Sequence, residues 1–427
     1  MTTIDAVLPA AAAQPAATPG PVRFLGAERD YWRLMARGAV LLMVTLGIYR
    51  FWLTTDMRRF LWANTDVAGT SLEYTGTARE LLLGFLIAMA ILVPLNAVLF
   101  IVALNLDVVG PLSTPLFFIA FTVLGHFAVF RARRYRLTRT VLRGVRFHQT
   151  GSAWHYAACA LLWWTLIVLS LGLLYPLAQA QLERFKMRNT YFGDLPGRFE
   201  GAASRLFLRG FLMWLIVVGP FVAAIVYAAR TANWSALPGI LTAGGADKDM
   251  INRLAAARFI FAIGFAIAAI VWAMLAAATL YPAFQAMLWR WWAGGLRFGE
   301  VTVTSTLRTG RVYRIYGRFL GYSILFSLAV GTIAGIAATI VTMLFRGSQI
   351  SELGEIAAAV ALIGFYVVVA LGYSTIYQVV VRAGLWKAIA ESLDVSNISA
   401  LDRVSARGAP GSPVGEGLAD ALNVGGI

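Results

Sequence analysis

Charge is scarce in this sequence. Asp, Glu, Lys and Arg make up 13% of its 427 residues, against about a quarter in a soluble globular chain. With 59% apolar residues and a mean hydropathy of +0.72, the chain needs lipid to cover its surface. A single cysteine, Cys159, lies in an apolar stretch and excludes an intrachain disulfide framework; it reads as a small packing residue. The three histidines, His126, His148 and His155, form no HExxH and stand near no cysteine or carboxylate cluster, which excludes the usual zinc arrangements. There is no GxxxxGK[ST] loop and hence no ATP-driven engine in the chain. No acid/base pair suited to catalysis stands out, so the reading is of a protein that is not an enzyme and carries no metal or cofactor.

What is abundant is apolar sequence in long runs. A membrane core about 30 Å thick takes roughly 20 helical residues to cross. Six segments meet that length: Leu81 to Leu106, Val108 to Phe130, Gly210 to Ala229, Phe259 to Met287, Phe319 to Phe345 and Ile356 to Val381. None holds an Asp or Glu away from its ends, which argues against a proton- or sodium-coupled carrier. Two further segments are ambiguous. Gly38 to Tyr49 is short for a span, and Ala157 to Ala178 is broken in its second half by Gly172 and Pro176. Residues 1–21, rich in Ala, Pro and Thr, read as a disordered tail, 22–403 as one integral membrane domain, and 404–427, rich in Gly, Pro and Ala, as a second disordered tail.

The net charge of +15 is concentrated between the apolar runs, most densely in RARRYRLTRTVLRGVRFHQTG at Arg131 to Gly151. That placement points to the membrane surface and its anionic lipids as partner, not to nucleic acid. The run recurs. Arg59-Phe60, Arg134-Tyr135 and Arg184-Phe185 are each followed, seventeen residues after the arginine, by Gly76, Gly151 and Gly201, with Gly69, Gly144 and Gly193 between. A fourth copy starts at Arg290-Trp291, passes Gly299 and continues EVTVTSTLRTG; a fifth, around Arg382 and Trp386, keeps only the helical half, and VRFLG at Val22 to Gly26 resembles the strand half alone. The copies lie near 50–76, 125–151, 175–201, 281–310 and 373–398. Each reads as a membrane helix that passes the interface, turns at a glycine and runs through a short strand. Isolated strand edges do not persist beside a bilayer, so the strands are expected to pair into a small cytoplasmic sheet.

If all eight hydrophobic segments crossed, the arginines between Arg131 and Arg146 would be translocated, against the positive-inside bias. If Gly38 to Tyr49 and Ala157 to Ala178 instead dip in and return, breaking at Gly47 and Gly172, every basic copy falls on one side, with both termini in the cytoplasm. The expected fold is therefore an α-helical polytopic membrane protein of six spans and two re-entrant hairpins, with eight spans as the alternative.

The stretches TLGIYRFW (Thr45 to Trp52), RRYRLTRTVLRGVRF (Arg133 to Phe147) and LGLLYPLAQAQLERFKMRNTYFG (Leu171 to Gly193) resemble the YjgN-like family of bacterial inner-membrane proteins, over roughly Val22 to Arg403. Phe51 stands where many relatives have proline. The resemblance implies a Gram-negative inner membrane and supplies neither a reaction nor site residues.

Two sets of residues are candidates for function. Gly/Pro-interrupted apolar segments at corresponding places are the best sequence pointer to a transporter's binding site, which puts Tyr49, Tyr175, Gln179 and Gln285 near any intramembrane cavity. The bland reading of these polar groups, and of Asn96, is interhelical hydrogen bonding or helix capping. Arg59, Arg134, Arg184 and Arg290 would either anchor the protein to anionic headgroups or converge on an anion. Asn64 and Asn189 read as helix closers. Two functional readings follow: a transporter or channel-like protein for a small anion or amphiphile, and a non-catalytic scaffold that holds anionic lipid and a protein partner on its basic face.

Overall fold

A computed structural model describes residues 20–105, 110–236, 258–344, 352–408, 411–422 and 424. The expected N-terminal tail lies, up to residue 19, outside the described residues.

The strands form one antiparallel sheet: β1 (Gly20–Phe24), β2 (Thr65–Val67), β3 (Thr70–Ser71), β4 (Glu73–Tyr74), β5 (Thr140–Leu142), β6 (Val145–Gln149), β7 (Thr190–Phe192), β8 (Leu195–Phe199), β9 (Leu296–Phe298), β10 (Val301–Ser305) and β11 (Leu393–Ser396). Their order is β3-β2-β1-β11-β10-β9-β8-β7-β6-β5-β4. The two ends of that order, β3 and β4, are consecutive in the chain and separated only by Leu72, so the sheet returns on itself as a small barrel. The sheet is thus larger than expected, and closure leaves it without the open edges that invite mispairing.

Tight turns set the register. Ala68-Gly69 and Arg143-Gly144 have positive φ at both central positions, the type I′ geometry that suits the twist of a two-residue hairpin. Gly193 and Gly299 supply positive φ at the first central position of the β7–β8 and β9–β10 turns. Every hairpin turn therefore lies on one rim of the barrel.

All the long helices leave from the other rim, because each helical pair departs from one strand and returns to its hydrogen-bonded neighbour. α1 (Glu28–Val44) and α2 (Arg50–Ala63) join β1 to β2; α3 (Ala78–Asn105) and α4 (Gly110–Thr138) lie between β4 and β5; α5 (Ala153–Leu169) and α6 (Tyr175–Arg188) join β6 to β7. α7 (Ala203–Thr231) and α8 (Phe259–Gly295) lie between β8 and β9, and α9 (Thr309–Leu344) and α10 (Glu352–Ile376) between β10 and β11, the latter continuing through a π-helical segment, Tyr377–Ala383, into α11 (Gly384–Ala390).

Two of the five pairs are short. They turn at the glycines singled out by sequence: Leu46-Gly47 (φ 49° and 91°) and Leu171-Gly172 (φ 51° and 87°). The hydroxyls before these turns act alike. Thr45 Oγ1 donates to the Leu41 carbonyl (2.7 Å) and accepts from the Tyr49 amide (3.0 Å); Ser170 Oγ donates to the Leu166 carbonyl (2.7 Å) and accepts from the Leu174 amide (3.2 Å). Polar backbone at the tip is thereby satisfied without solvent.

Among the described residues, five helical stretches are long and apolar enough to cross a membrane: Ala78–Val98, Ala203–Thr231, Phe259–Gly295, Thr309–Met343 and Gly354–Ala390. The expected span at Val108 to Phe130 starts outside the described residues, and α4 is not among the five. In α9 and α10 the most apolar windows bury none of their residues inside the protein. Such surface requires a hydrocarbon solvent, and the chain is a polytopic helical membrane protein.

The C-terminal stretch read as a disordered tail is ordered over most of its described length. A 3-10 turn, Ile398–Arg403, places Leu401 inside the turn-side rim of the barrel with Val22, Leu142, Phe192, Val301 and Val395. The chain then passes β7 and β6, where the Ser405 amide donates to Asp194 (3.0 Å), reaches α4, where the Gly411 amide donates to Thr138 Oγ1 (3.1 Å), and ends in helix α12 (Val414–Ala421). The residues that suggested disorder are those that let α12 fit. A Cβ on Gly417 would stand 1.9 Å from the Gly84 carbonyl carbon of α3, and one on Gly415 2.3 Å from Arg131 Cβ of α4. Ala128, Ala132 and Ala419 are fully buried in the same contact.

Candidate functional site

The helices that return to the barrel, α2, α4, α6, α8 and α11, end in a ring around a cavity of 630 Å³. Trp62, Trp289, Trp291, Trp292 and Trp386 line it, with Arg133, Arg136, Glu183, Lys186 and Gln179. A second cavity of 760 Å³ fills the barrel itself, lined by apolar strand residues such as Val67, Val303 and Val395, and by Gln285 and Arg382 at its helix end. Leu72, Phe147, Trp289, Trp292 and Trp386 border both spaces. They form one chamber, polar among the helix ends and oily within the barrel.

Its polar groups are held by neighbouring units. Arg133 donates through Nη1 to Gln149 Oε1 (2.9 Å) and Thr190 Oγ1 (2.8 Å). Glu183 accepts from Lys186 and from the Trp292 indole (3.1 Å). Arg136 stands 4.0 Å from Glu416 of α12. With Arg133, Arg136 and Lys186 against Glu183, the upper chamber has an excess of positive charge.

A line of threonines missed in the sequence ties the ring together. Thr65, Thr140 and Thr190 each stand six residues after a motif arginine and open β2, β5 and β7. Each hydroxyl accepts from the adjoining unit: Thr65 from the Trp386 indole (2.9 Å), Thr140 from the Trp62 indole (3.0 Å), Thr190 from Arg133. The recurrence of Thr at that offset was the available signal.

The four motif arginines do not come together. Arg59 donates to the Gly76 carbonyl (3.1 Å), Arg134 to Gly151, Arg184 to Gly201 (3.5 Å) and Arg290 to Leu307 (2.8 Å), each seventeen residues ahead in its own unit. The regular spacing is thus the reach of a guanidinium from the end of one helix across its own hairpin to the start of the next. None of the four lines the chamber. Arg59 is exposed and the other three half-buried, and the four do not converge on one anion site.

Of the polar residues expected in a cavity, Gln179 and Gln285 line the chamber. Gln285 Nε2 donates to the Tyr281 hydroxyl (2.7 Å), and its Oε1 accepts from the Tyr316 hydroxyl (3.0 Å). Tyr49 instead caps α2 and Tyr175 starts α6 at the hairpin tips, against Trp52 and Phe284 respectively, and they line neither space. Asn96, Asn64 and Asn189 each donate to the carbonyl four residues back, at 2.8 Å, in the capping role their positions suggested. Among the described residues no group of three or more His, Cys, Asp or Glu is placed to hold a metal.

The deepest charge pair belongs to the C-terminal helix. Arg58, with 5% of its side chain exposed, donates to Glu416, with 8%, and to the Tyr74 hydroxyl (3.0 Å). One turn on, Asp420 accepts from Arg50. Burial works against the charge on Arg58, but Glu416 and Tyr74 more than offset it and raise its pKa.

No solved structure matches the chain. Inner membrane protein YjgN of Escherichia coli O157:H7 is 28% identical over 124 residues, 29% of this chain and 29% of that protein. The match therefore spans under a third of the relative's length. A family model matches residues 19–421, from the first barrel strand to the end of α12, and the chain belongs to that family, described as bacterial protein of unknown function (DUF898).

Proposed function

We propose that this chain is a non-catalytic protein of the bacterial inner membrane whose axial chamber binds and passes a small anionic amphiphile. In this reading α3–α4, α7–α8 and α9–α10 provide six spans and the two short pairs are re-entrant. The five helix-and-hairpin units are copies of one internal repeat, and the turn-side rim, with both termini, faces the cytoplasm. The common rooting of all helical pairs on one rim supports it, since every basic copy then falls on one side. The inner-membrane name of the relative supports the location.

The observation that carries the substrate class is the composition of the chamber. Half-buried Arg133 and Arg136 stand beside five tryptophans, and the space continues into an apolar barrel. Taking a guanidinium partly out of water is costly unless an anion faces it; it presents paired donors to a phosphate or carboxylate, and the barrel accepts a short apolar tail. Proteoliposomes loaded with the protein should take up a short alkyl phosphate, and Arg133→Gln and Gln179→Ala should reduce that flux about tenfold. Because tryptophans line the space, the alkyl phosphate should also quench their fluorescence. Correctly folded variants with unchanged flux and quenching would remove the chamber from the pathway. A protein inert in both assays that instead retains anionic lipid and a protein partner would be the scaffold of the alternative reading.

A further inference from the structure

A third cavity, of 280 Å³, lies between α1, α2, the end of α10 with its π-helical continuation, and α12. It lies beside the chamber described above and shares only Arg382 with its lining. We propose that this side pocket binds a small oxyanion, a carboxylate or a phosphate group, and that Arg382 is its charged ligand.

Charge comes first. Three guanidiniums line the pocket, those of Arg50, Arg58 and Arg382, against two carboxylates, Glu416 and Asp420. Both carboxylates are already engaged, Asp420 by Arg50 and Glu416 by Arg58. Arg382 is different. Its Nη1 donates to the neutral amide of Gln378 (3.3 Å), and its guanidinium carbon stands 5.9 Å from the centre of the Tyr377 ring. Among the described residues no carboxylate lies within ion-pair distance of it. One positive charge in the lining is thus left without an anionic partner, on a half-buried side chain at the end of an apolar helix, where an unpaired charge is expensive.

Shape and donors point the same way. The segment carrying Arg382 is π-helical from Tyr377 to Ala383, a local widening frequent at functional sites. It presents Gln378 and Arg382 to the pocket, with Ser374 and Thr375 a turn earlier and Thr54 across from them on α2. A fork of guanidinium donors with hydroxyls around it is the chemistry that holds an oxyanion bidentately. The volume of 280 Å³ lies just below the usual range for ligand pockets, which suits a small anion. Arg382 also borders the barrel cavity, so the pocket adjoins the chamber at this residue.

A free anion and a lipid headgroup share this chemistry, and the experiment separates them. Purified protein in detergent, stripped of phospholipid, is unfolded thermally at constant ionic strength with chloride, inorganic phosphate or acetate. In parallel it is unfolded in nanodiscs of phosphatidylglycerol and of phosphatidylcholine. The expected result is a rise in midpoint with phosphate or acetate over chloride, abolished in Arg382→Gln and at least tenfold weaker in apparent affinity in Arg382→Lys. A rise seen only with phosphatidylglycerol, and lost in the same variants, assigns the site to a headgroup. Should Arg382→Gln fail to fold, Ser374→Phe fills the pocket without touching the guanidinium and should abolish the same shift. Equal responses in wild type and variants, or no response in either medium, overturn the proposal.

Discussion

Four of the helix-and-hairpin units are continuous in the chain, and one is split between its ends. The continuous ones are closed twice over, by a tight turn between their strands and by a guanidinium reaching the carbonyl seventeen residues on. In the split one, β11 comes from the C-terminal end and β1 from the N-terminal end, paired at Gly20↔Val395 and Pro21↔Asp394 with no turn between. Where the hairpin turn would be, the chain runs into the 3-10 turn that puts Leu401 in the barrel. Arg382 makes no bond to a carbonyl across the hairpin and faces two cavities instead. In the closed units the motif arginine is tied into the architecture; in the open unit Arg382 makes no such bond and lines two cavities.

That contrast breaks most severely at the arm that leaves the split unit. Glu416→Gln strands Arg58 in a site 5% exposed, and losing one partner of a buried ion pair costs about 3–5 kcal/mol. The expected outcome is a large fall in the thermal midpoint in detergent, together with early proteolysis between Arg403 and Val414 as α12 undocks. Arg58→Met with Glu416→Leu, which removes both charges, should recover much of the loss. A midpoint unchanged by Glu416→Gln would mean that α12 is not held by this pair.

The next effect separates closed from open units directly. Arg290→Gln removes a charged donor from the Leu307 carbonyl and from Thr309 Oγ1, at about 1.5–3 kcal/mol for a hydrogen bond to a charged group. Arg184→Gln, whose bond is longer at 3.5 Å, should cost less. Arg382→Gln should lower the ligand-free midpoint least of the three, having a single neutral hydrogen bond to lose. If Arg382→Gln proves the most destabilising, the contrast between units fails.

Much of this was legible in the sequence. The spacing of arginine and second glycine marks the reach of a guanidinium across its own hairpin, the two short helical pairs turn at Gly47 and Gly172, and Asn64 and Asn189 close helices. The closed barrel was not, because joining VRFLG at Val22 to Gly26 to the copy around Arg382 needs contact between residues more than 350 positions apart, and no local pattern encodes that pairing. The arm was misread for a physical reason. Glycine lowers helix propensity in isolation, yet Gly415 and Gly417 are what allow α12 to touch Arg131 and Gly84. The chamber was half legible: Gln179 and Gln285 line it, whereas its arginines, Arg133 and Arg136, were lost among seven in the basic run.

A smaller effect tests the hairpin tips, common to the first and third pairs. Gly47→Ala and Gly172→Ala force a Cβ into the left-handed region, at about 1 kcal/mol each, and should lower the midpoint by similar amounts because the two turns share φ values and hydroxyl bridges. Unequal losses would show that one tip is supported by its surroundings. Gly172 has the Trp214 ring 3.7 Å from where its Cβ would stand, an ordinary van der Waals contact, and Gly47 has nothing within 4 Å, so neither site adds a steric cost and the two losses should match.

The smallest effect is a pH dependence where the arm crosses the closed units. His148 on β6 stacks on Tyr191 of β7 with ring centroids 5.1 Å apart, its Nδ1 buried without a hydrogen bond, and a Cβ on Gly408 of the arm would stand 2.9 Å from that nitrogen. Burial holds the imidazole below its ordinary pKa, so the folded state favours the neutral ring. The unfolded chain takes up a proton near the ordinary value of about 6.5 while the folded chain resists it. Stability is therefore fully present above that value and is lost as pH falls through it toward the depressed folded value. Thermal midpoints of wild type and His148→Phe should differ by a constant amount from pH 8 to 7 and diverge below about 6.5, with wild type falling faster. Parallel curves down to pH 5.5 would mean that the ring protonates without disturbing the strand pair, and that the arm yields at Gly408 to let water reach Nδ1.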